Sequence, residues 1–398
     1  METDSRKRRA LLLGFTMADH DFEDVSNRSP LLVAQTQAFG SHLQRSLQHA
    51  GLDVALISFA PVTNYPSFPQ IVFRSKRFEY LGDPGIFLGF INILVLKHLT
   101  RWFSLRKRAL TVHRQNPPEV VVVHGVHTPL LNYARLLKKL FGSQIVAVLT
   151  DPPAVTLESD GFATRLLRSV DGRRVKRILR DFDRVVALTN ALAEDFAPGV
   201  PSLVFPGFAP DVVPSAATRE PGSSTFTVAY AGGLSEEYGV GDLVRSFALI
   251  ADPRFRLQIF GRGPLTDWVQ AQTIADPRIS LDYVDRTRVL ELLQGAQVLV
   301  NPRRLNFQAI RHSSPSKLLE YMSLAVPTIS TPLPSISSNL AAHLAMTSDD
   351  GEESIHAKIM ELSRQSDRER RDFGDGARSY VLREYSTKGL GAKFRDFF

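Results

Sequence analysis

Two doubly wound, Rossmann-like α/β domains facing one another across a cleft are what the sequence predicts, and three observations carry the prediction. Short runs of β-branched and other apolar residues alternate with amphipathic helical segments over most of the 398 residues. The alternation breaks once, at PGFAPDVVPSAATREPGSS (Pro206–Ser224), where Pro, Gly and Ser accumulate and no period survives. Each side of the break is long enough for a core of its own. In sheets of this kind ligands bind beyond the carboxyl ends of the strands, so the loops there are where functional residues are sought.

In the first half, ALLLGF, DVALISF, EVVVVHG, QIVAVLT and RVVALT are continuous apolar runs bounded by turn residues or helices, the pattern of parallel strands buried on both faces. Amphipathic helices are predicted over Leu31–His49 and Pro129–Leu140. The second half runs TFTVAYAGG, a helix over Gly239–Ile250, FRLQIFGRG, a helix from Pro264, ISLDYV, a helix over Arg286–Gln294, AQVLVNP, a helix begun at Ser314, and PTIST. The expected organisation is a first domain over 1–206, a linker over 207–224 and a second domain over 225–381.

Composition narrows the function. With 43% hydrophobic and 22% charged residues the chain is globular. The absence of cysteine excludes disulfides, thiolate metal sites and cysteine nucleophiles. The start, METDSRKRRALLLGF, is basic, but its apolar stretch has the length of a strand and not of a secretory leader. The longest apolar run, GIFLGFINILVL (Gly85–Leu96), falls short of the roughly 20 residues that span a bilayer, so a cytoplasmic location is expected.

The net charge of +7 is uneven: residues 1–206 hold 26 Lys and Arg against 18 Asp and Glu, and the remainder 22 against 23. Two tracts concentrate the excess, Lys97–Arg114, with Arg101, Arg106, Lys107 and Arg108, and Arg165–Arg180, with Arg173 and Arg174. Both interleave cations with apolar residues at near-helical spacing, which suits anionic lipid headgroups or a nucleic-acid backbone, the plainer reading being a solvated basic face. No nucleic-acid module accompanies the charge. The expected partner is therefore an anionic membrane surface, with peripheral association, and not nucleic acid.

The stretch HSSPSKLLEYMSLAVPTIST (His312–Thr331) carries the chemistry. With Ser314 as N-cap and Pro315 as first helical residue, Lys317 falls in the first turn. A cation there opposes the helix dipole, at a cost of roughly 0.3–1 kcal/mol. The placement makes sense if an anion occupies the helix amino end, where free backbone N–H groups, the hydroxyls of Ser314 and Ser316 and the lysine converge on phosphate oxygens. Glu320, one turn deeper, is placed to accept from ribose hydroxyls. The alternative is a lysine that points into solvent.

This segment resembles the donor-nucleotide motif of GT-B glycosyltransferases of the family 4 type. Glu320 matches the second of the two glutamates in that motif, and LAVP, ending at Pro327, its closing turn. A branch that makes bacterial surface polysaccharides is closer still, with an Asn-Pro-Arg strand end, here Asn301-Pro302-Arg303, and a Ser-x-Pro-Ser-Lys helix start, here Ser313–Lys317. The departures are His312 at the first glutamate, Ala325 at the usual glycine, and Gly233 and Tyr238 where a diphosphate-binding Arg and Lys commonly stand. Weaker similarities, in VAYAGGLSEEYGVGDLVRSFALI, LQIFGRGPL, DRTRVLELLQGAQVLVNP, DRVVALTNALAEDF, HGVHTP and LTDPP, extend over nearly the whole chain.

The resemblance implies a GT-B fold in which a last helical segment, 382–398, crosses back to the first domain. It implies a nucleotide-sugar-dependent, hexosyltransferase-like enzyme, working with retention at the sugar carbon on a lipid-linked or polysaccharide acceptor at the cytoplasmic membrane face. Arg303 and Lys317 are the expected cations for the diphosphate, Gly232, Gly233, Gly261 and Gly263 the expected close backbone approaches, and no metal or resident cofactor is expected. His127 matches a cleft histidine of such enzymes, and Asp151, in LTDPP, is a candidate acceptor contact or base, while His124 reads as structural. Two rivals remain. A degenerate member would bind at a membrane surface without turnover. A dinucleotide oxidoreductase would use GRGPLT, but Thr266 stands where the third small residue of that fingerprint belongs.

Overall fold

The computed structural model describes residues 6–28, 30–113, 116–153, 162–210, 225–314 and 316–398. Pro315 and most of the expected linker, from residue 211 on, lie outside them. The chain divides into two compact units, residues 1–205 with 387–398, and residues 206–386.

The first unit contains β1 (Arg9–Gly14), β2 (Asp53–Ser58), β3 (Val72–Phe73), β4 (Lys76–Tyr80), β5 (Asp83–Phe87), β6 (Phe90–Ile91), β7 (Val120–His124), β8 (Gln144–Leu149), β9 (Arg184–Ala187) and β10 (Ser202–Val204). Eight of them form one sheet in the order β10-β9-β8-β7-β1-β2-β5-β4. Its neighbours are parallel except for β4, which runs antiparallel to β5. The five expected strands are β1, β2, β7, β8 and β9. Val120–Val123 of β7 are fully buried, as a strand covered on both faces requires. The strands between residues 72 and 91 are an addition to the expectation: runs of two to five residues interrupted by Gly and Pro carry no readable period. The helix Thr387–Phe397 lies on the helix Pro30–His49, with Leu390 and Phe394 buried and Arg395 Nη2 donating to the His49 carbonyl at 2.8 Å.

The second unit contains β11 (Phe226–Ala231), β12 (Phe255–Phe260), β13 (Ile279–Asp282), β14 (Val298–Asn301), β15 (Thr328–Ser330) and β16 (Ala345–Met346). They form one sheet in the order β13-β12-β11-β14-β15-β16, with every pair parallel. The order reverses between β11 and β14, the topological switch point of a doubly wound sheet. The loops that open there hold Gly232–Gly233 after β11 and Pro302–Arg303 after β14. In the first unit the corresponding reversal lies between β1 and β7, and His127 follows β7.

Candidate functional site

The end of β11 is tied to the helix Ser316–Ser323 by three hydrogen bonds on one residue. The Ala231 amide donates to the Tyr321 hydroxyl oxygen at 2.7 Å, and the Ala231 carbonyl accepts from that hydroxyl at 2.8 Å and from Lys317 Nζ at 2.9 Å. The helix buries Leu318, Leu319, Tyr321 and Met322 and leaves Ser316 and Lys317 at its exposed amino end. Lys317 is exposed as a residue, yet its ammonium is crowded by the Ala231 carbonyl, Gly232 and the Tyr230 ring, whose centroid is 5.9 Å away. Desolvation lowers its pKa to about 8; Glu320 opposes the shift and the charge of Arg303 adds to it.

Arg303 follows β14. Its Nη1 donates to the Ser313 hydroxyl, and its guanidinium lies over the Tyr238 ring, 4.8 Å from the centroid. Tyr238 stands where the resemblance places a basic residue, and it supplies a platform for Arg303 in place of a charge. Ser314 donates its hydroxyl to the Pro206 carbonyl, so that proton is not free for a ligand. Glu320 accepts from Arg286 Nη2 at 2.8 Å. Arg286 is largely exposed, so the pair is worth about 1 kcal/mol or less and separates readily.

The four glycines fill packing roles. A Cβ on Gly232 would fall on the Lys317 ammonium and 2.8 Å from the Tyr230 ring, and one on Gly233 would meet the Tyr238 ring at 2.8 Å. Gly261, at φ +150°, faces the Gly232 backbone, and Gly263 the Leu234 backbone. None of the four Cβ directions is open space, so glycine here serves the close fit of the loops after β11 and β12.

Sequence reasoning missed the group that anchors Arg304, the neighbour of Arg303. Asp242, 7% exposed, receives Arg304 Nε at 2.5 Å and Nη2 at 2.8 Å, and Arg245 Nη2 at 2.6 Å. Burial pulls its pKa up, but the two guanidinium ions win and hold it below the usual carboxylate range. Arg304 also reaches Glu236 at 3.0 Å. The loop after β14 is thereby bolted to the helix Val240–Ala248. The adjacent pair Arg303-Arg304 was the available signal: Arg304 is bound to Asp242, while Arg303 turns to Ser313 and the Tyr238 ring.

In the first unit, His127 is the N-cap of the helix Thr128–Phe141 and makes no side-chain cap bond. Its ring meets Phe15 edge-on at 5.1 Å and His98 at 6.0 Å. Burial, then the charges of Arg101, His98 and Lys97, push its pKa down to about 3, so at neutral pH it is an uncharged imidazole. His124 is buried, stacked on Phe39 at 4.9 Å, and pushed to about 4 by burial. Asp151 is exposed, two residues past β8. His127 and Asp151 thus follow the carboxyl ends of two neighbouring parallel strands.

Arg101 corrects an expectation. It is not part of a basic surface: it is 3% exposed, donates Nη2 to the Ala60 carbonyl at 2.8 Å, and lies within 4.3–5.8 Å of the ring centroids of Phe90, Phe59 and Phe15. Its position one turn from Lys97 and Leu105, both buried, puts it on the inner face of the helix Leu94–Val112. Arg106, Lys107, Arg173 and Arg174 are exposed and Arg108 is half-buried. Arg165 and Arg168 lie among residues whose side chains are not described. Among the described residues no three His, Asp or Glu side chains converge as a metal site requires, and no helix is long and apolar enough to cross a membrane.

Comparison with known proteins adds three findings. Residues 225–365 match the family described as Glycosyl transferases group 1. Among solved structures, the sucrose-phosphate synthase of Thermosynechococcus elongatus superposes with a TM-score of 0.63 at 14% identity, covering 98% of each chain. HepE of Anabaena, in complex with UDP, gives 0.60 at 13% identity over 98% of this chain and 99% of its own. An E. coli structure described as trehalose-6-phosphate bound with UDP-2-fluoro glucose gives 0.60 at 10% identity over 98% of each chain. The fold is GT-B. A search of curated protein sequences gives no match.

Proposed function

Taking the GT-B fold and the family match over residues 225–365 as premise, we propose that the protein transfers a sugar from a nucleoside-diphosphate sugar, held by the second half, to a lipid-linked or polysaccharide acceptor at a membrane face, with retention at the sugar carbon. One observation carries the reading. At the switch point of the second sheet lie a helix amino end, the Lys317 ammonium and the Arg303 guanidinium, whose charge acts on the lysine, and Glu320, the acid that acts on Lys317 among the described residues, is itself engaged by Arg286. Such a site suits a diphosphate, whose negative charge grows as the glycosidic bond to the sugar breaks. Lys317 and Arg303 hold that leaving group, and no resident metal or cofactor is invoked.

HepE holds UDP and the E. coli structure UDP-2-fluoro glucose, which makes uridine the first base to test. In the first unit the uncharged His127 is suited to hydrogen-bond the transferred sugar or the acceptor, and Asp151 to accept the proton that the acceptor hydroxyl releases. The exposed cations Arg106, Lys107, Arg173 and Arg174 suit an anionic lipid surface around a lipid-linked acceptor, and peripheral association with it.

A second reading, nucleotide-sugar binding without transfer, is favoured by Gly233 and Tyr238 in place of two basic residues and by His312 in place of a glutamate. Thermal-shift titration with UDP, GDP, ADP and TDP and their sugars, followed by detection of released nucleoside diphosphate in the presence of membrane lipid extract, separates the two. Stabilisation together with release supports transfer. Stabilisation without release supports the binding protein, and no stabilisation by any nucleotide removes both.

A further inference from the structure

The helix Leu94–Val112 is assembled inside out. Its inner face holds Lys97, Arg101 and Leu105, all buried, with Lys97 Nζ donating to the Val62 carbonyl at 2.5 Å and Arg101 to that of Ala60. Its outer face is apolar: Val95 is 66% exposed, Phe103 63%, Leu99 48% and Leu96 42%. Val95, Leu99 and Phe103 are spaced four apart and form one stripe, which Lys107 continues in the next turn. The stripe does not end at the helix. Ile93 and Leu94 are exposed at its start, and the Asn92 amide donates to the Ile71 carbonyl at 2.7 Å, which sets the exposed Ile71 and Val72 of the β3–β6 pair beside them. An amphipathic helix in a water-soluble domain turns its apolar face to the core. Here Val95, Leu96, Leu99 and Phe103 point away from it, and a contiguous exposed apolar patch rimmed by polar residues marks an interaction surface.

Charge identifies what covers it. No acidic residue occurs between Asp83 and Glu119, so every full charge on the helix itself is positive, and Asp171, from another element, is an acid that acts on its His98. Arg74, beside Val72, and Arg106 and Lys107, one turn beyond Phe103, are exposed and form no ion pair among the described residues. A second copy of the chain seated on the same face would bring this basic rim against itself, because a two-fold contact pairs like with like. A bilayer with anionic headgroups offers both needs at once: acyl chains for the apolar stripe, and phosphates for the cations just above it.

We propose that the outer face of the helix Leu94–Val112, with Ile71 and Val72, lies in the headgroup region of an anionic membrane and carries the first unit there. Val95, Leu99 and Phe103 enter the acyl boundary, to a depth of about 5–10 Å for such helices. Arg74, Arg106 and Lys107 pair with lipid phosphates. The inference deepens the membrane part of the reading above and is independent of sugar transfer.

The test is flotation of the full chain with vesicles of phosphatidylcholine containing phosphatidylglycerol, against phosphatidylcholine alone. The wild type floats with the anionic vesicles. The triple variant Val95→Ser, Leu99→Ser, Phe103→Ser lowers the bound fraction about tenfold or more, whereas Arg106→Ala with Lys107→Ala loses binding at a lower salt concentration than the wild type. All five positions are already in water, so the variants fold, and an unchanged melting temperature verifies it. A wild type that does not float, or a triple variant that floats as well as the wild type, overturns the inference. So does a dimer by sedimentation velocity that the triple substitution turns into a monomer. The nucleotide-induced thermal shift, measured on the same triple variant, reports the donor half separately: its absence in both proteins counts against transfer and leaves the membrane face standing.

Discussion

The Lys317 ammonium and the α-carbon of Gly232 occupy adjoining space at the end of β11, so close that a Cβ at residue 232 would fall on the ammonium. The glycine therefore sets where the lysine's charge sits. Lys317→Ala removes the charge and leaves packing intact: the nucleotide-induced thermal shift disappears, with affinity lost by about 2 kcal/mol or more, while the melting temperature without nucleotide is unchanged. Gly232→Ala weakens binding as well and also destabilises the fold by about 1–3 kcal/mol, because the new methyl meets the Tyr230 ring. Equal stability losses in the two variants would show that Lys317 is a packing residue.

The pH dependence of binding follows from the same lysine. Its pKa of about 8 in the free protein means that the ammonium is charged below that pH and neutral above it. A bound diphosphate favours the charged form, so binding above pH 8 requires uptake of a proton. Affinity is flat from pH 6.5 to 7.5 and falls above 8 by up to about tenfold per pH unit. Isothermal titration in buffers of different ionisation enthalpy measures the proton uptake, and Lys317→Arg removes it.

Arg101 and Arg106 are neighbours in one basic tract with opposite roles. Arg101→Ala empties a space between three phenylalanine rings and leaves the Ala60 carbonyl without its donor, a loss of about 2–4 kcal/mol. Arg101→Lys does not restore it, since the ammonium lacks the planar guanidinium. Arg106→Ala, at an exposed position, changes stability by less than about 0.5 kcal/mol. Urea denaturation of the three variants decides the point.

Acid should weaken the first unit through His124. Its folded pKa of about 4 lies below the ordinary histidine value of 6.5, so the unfolded chain binds a proton that the folded one refuses. The stabilisation is complete above pH 6.5 and is lost as the pH falls towards 4, by up to about 1.4 kcal/mol per pH unit. Urea midpoints from pH 7.5 to 4.5 should decline with a slope that His124→Gln makes shallower. An unchanged slope in that variant would mean that the imidazole is protonated in the folded protein.

Ala325 holds the left-handed conformation at φ +57° that the sequence gives it no easy means to adopt. The Gly374 backbone packs against the Ala325 carbonyl, with no room for a side chain at 374. Ala325→Gly relieves about 1 kcal/mol of steric cost and raises the melting temperature by a few degrees, with nucleotide binding unaltered. A fall in melting temperature would show that the strain is compensated by contacts of the Ala325 methyl.

Much of the architecture was legible because its signals are local. Buried parallel strands require continuous apolar runs and helices require a 3.6-residue period, and both are written in consecutive residues. The five strands of the first half, the alternation of the second and the place of Lys317 in the first turn of its helix all rest on such local pattern. Strands as short as Val72–Phe73 and Phe90–Ile91 carry none, and they were missed.

What the sequence could not contain is where each polar group finds its partner. Glu320 was expected to accept from ribose hydroxyls, and in the fold it accepts from Arg286, from a helix 34 residues away in the chain. Ser314 gives its proton to Pro206, and Asp242 gathers Arg304 from 62 residues away. Arg101 and Arg106 look alike in the sequence; the helix period separates their faces but does not say which face meets the core. By itself the sequence determined two doubly wound halves and a cation at a helix start, since chain-local sterics and periodicity fix those. Tertiary structure alone decided that the Leu94–Val112 helix turns Arg101 inward and Phe103 outward, because a backbone carbonyl and three aromatic rings from distant segments receive the buried guanidinium there.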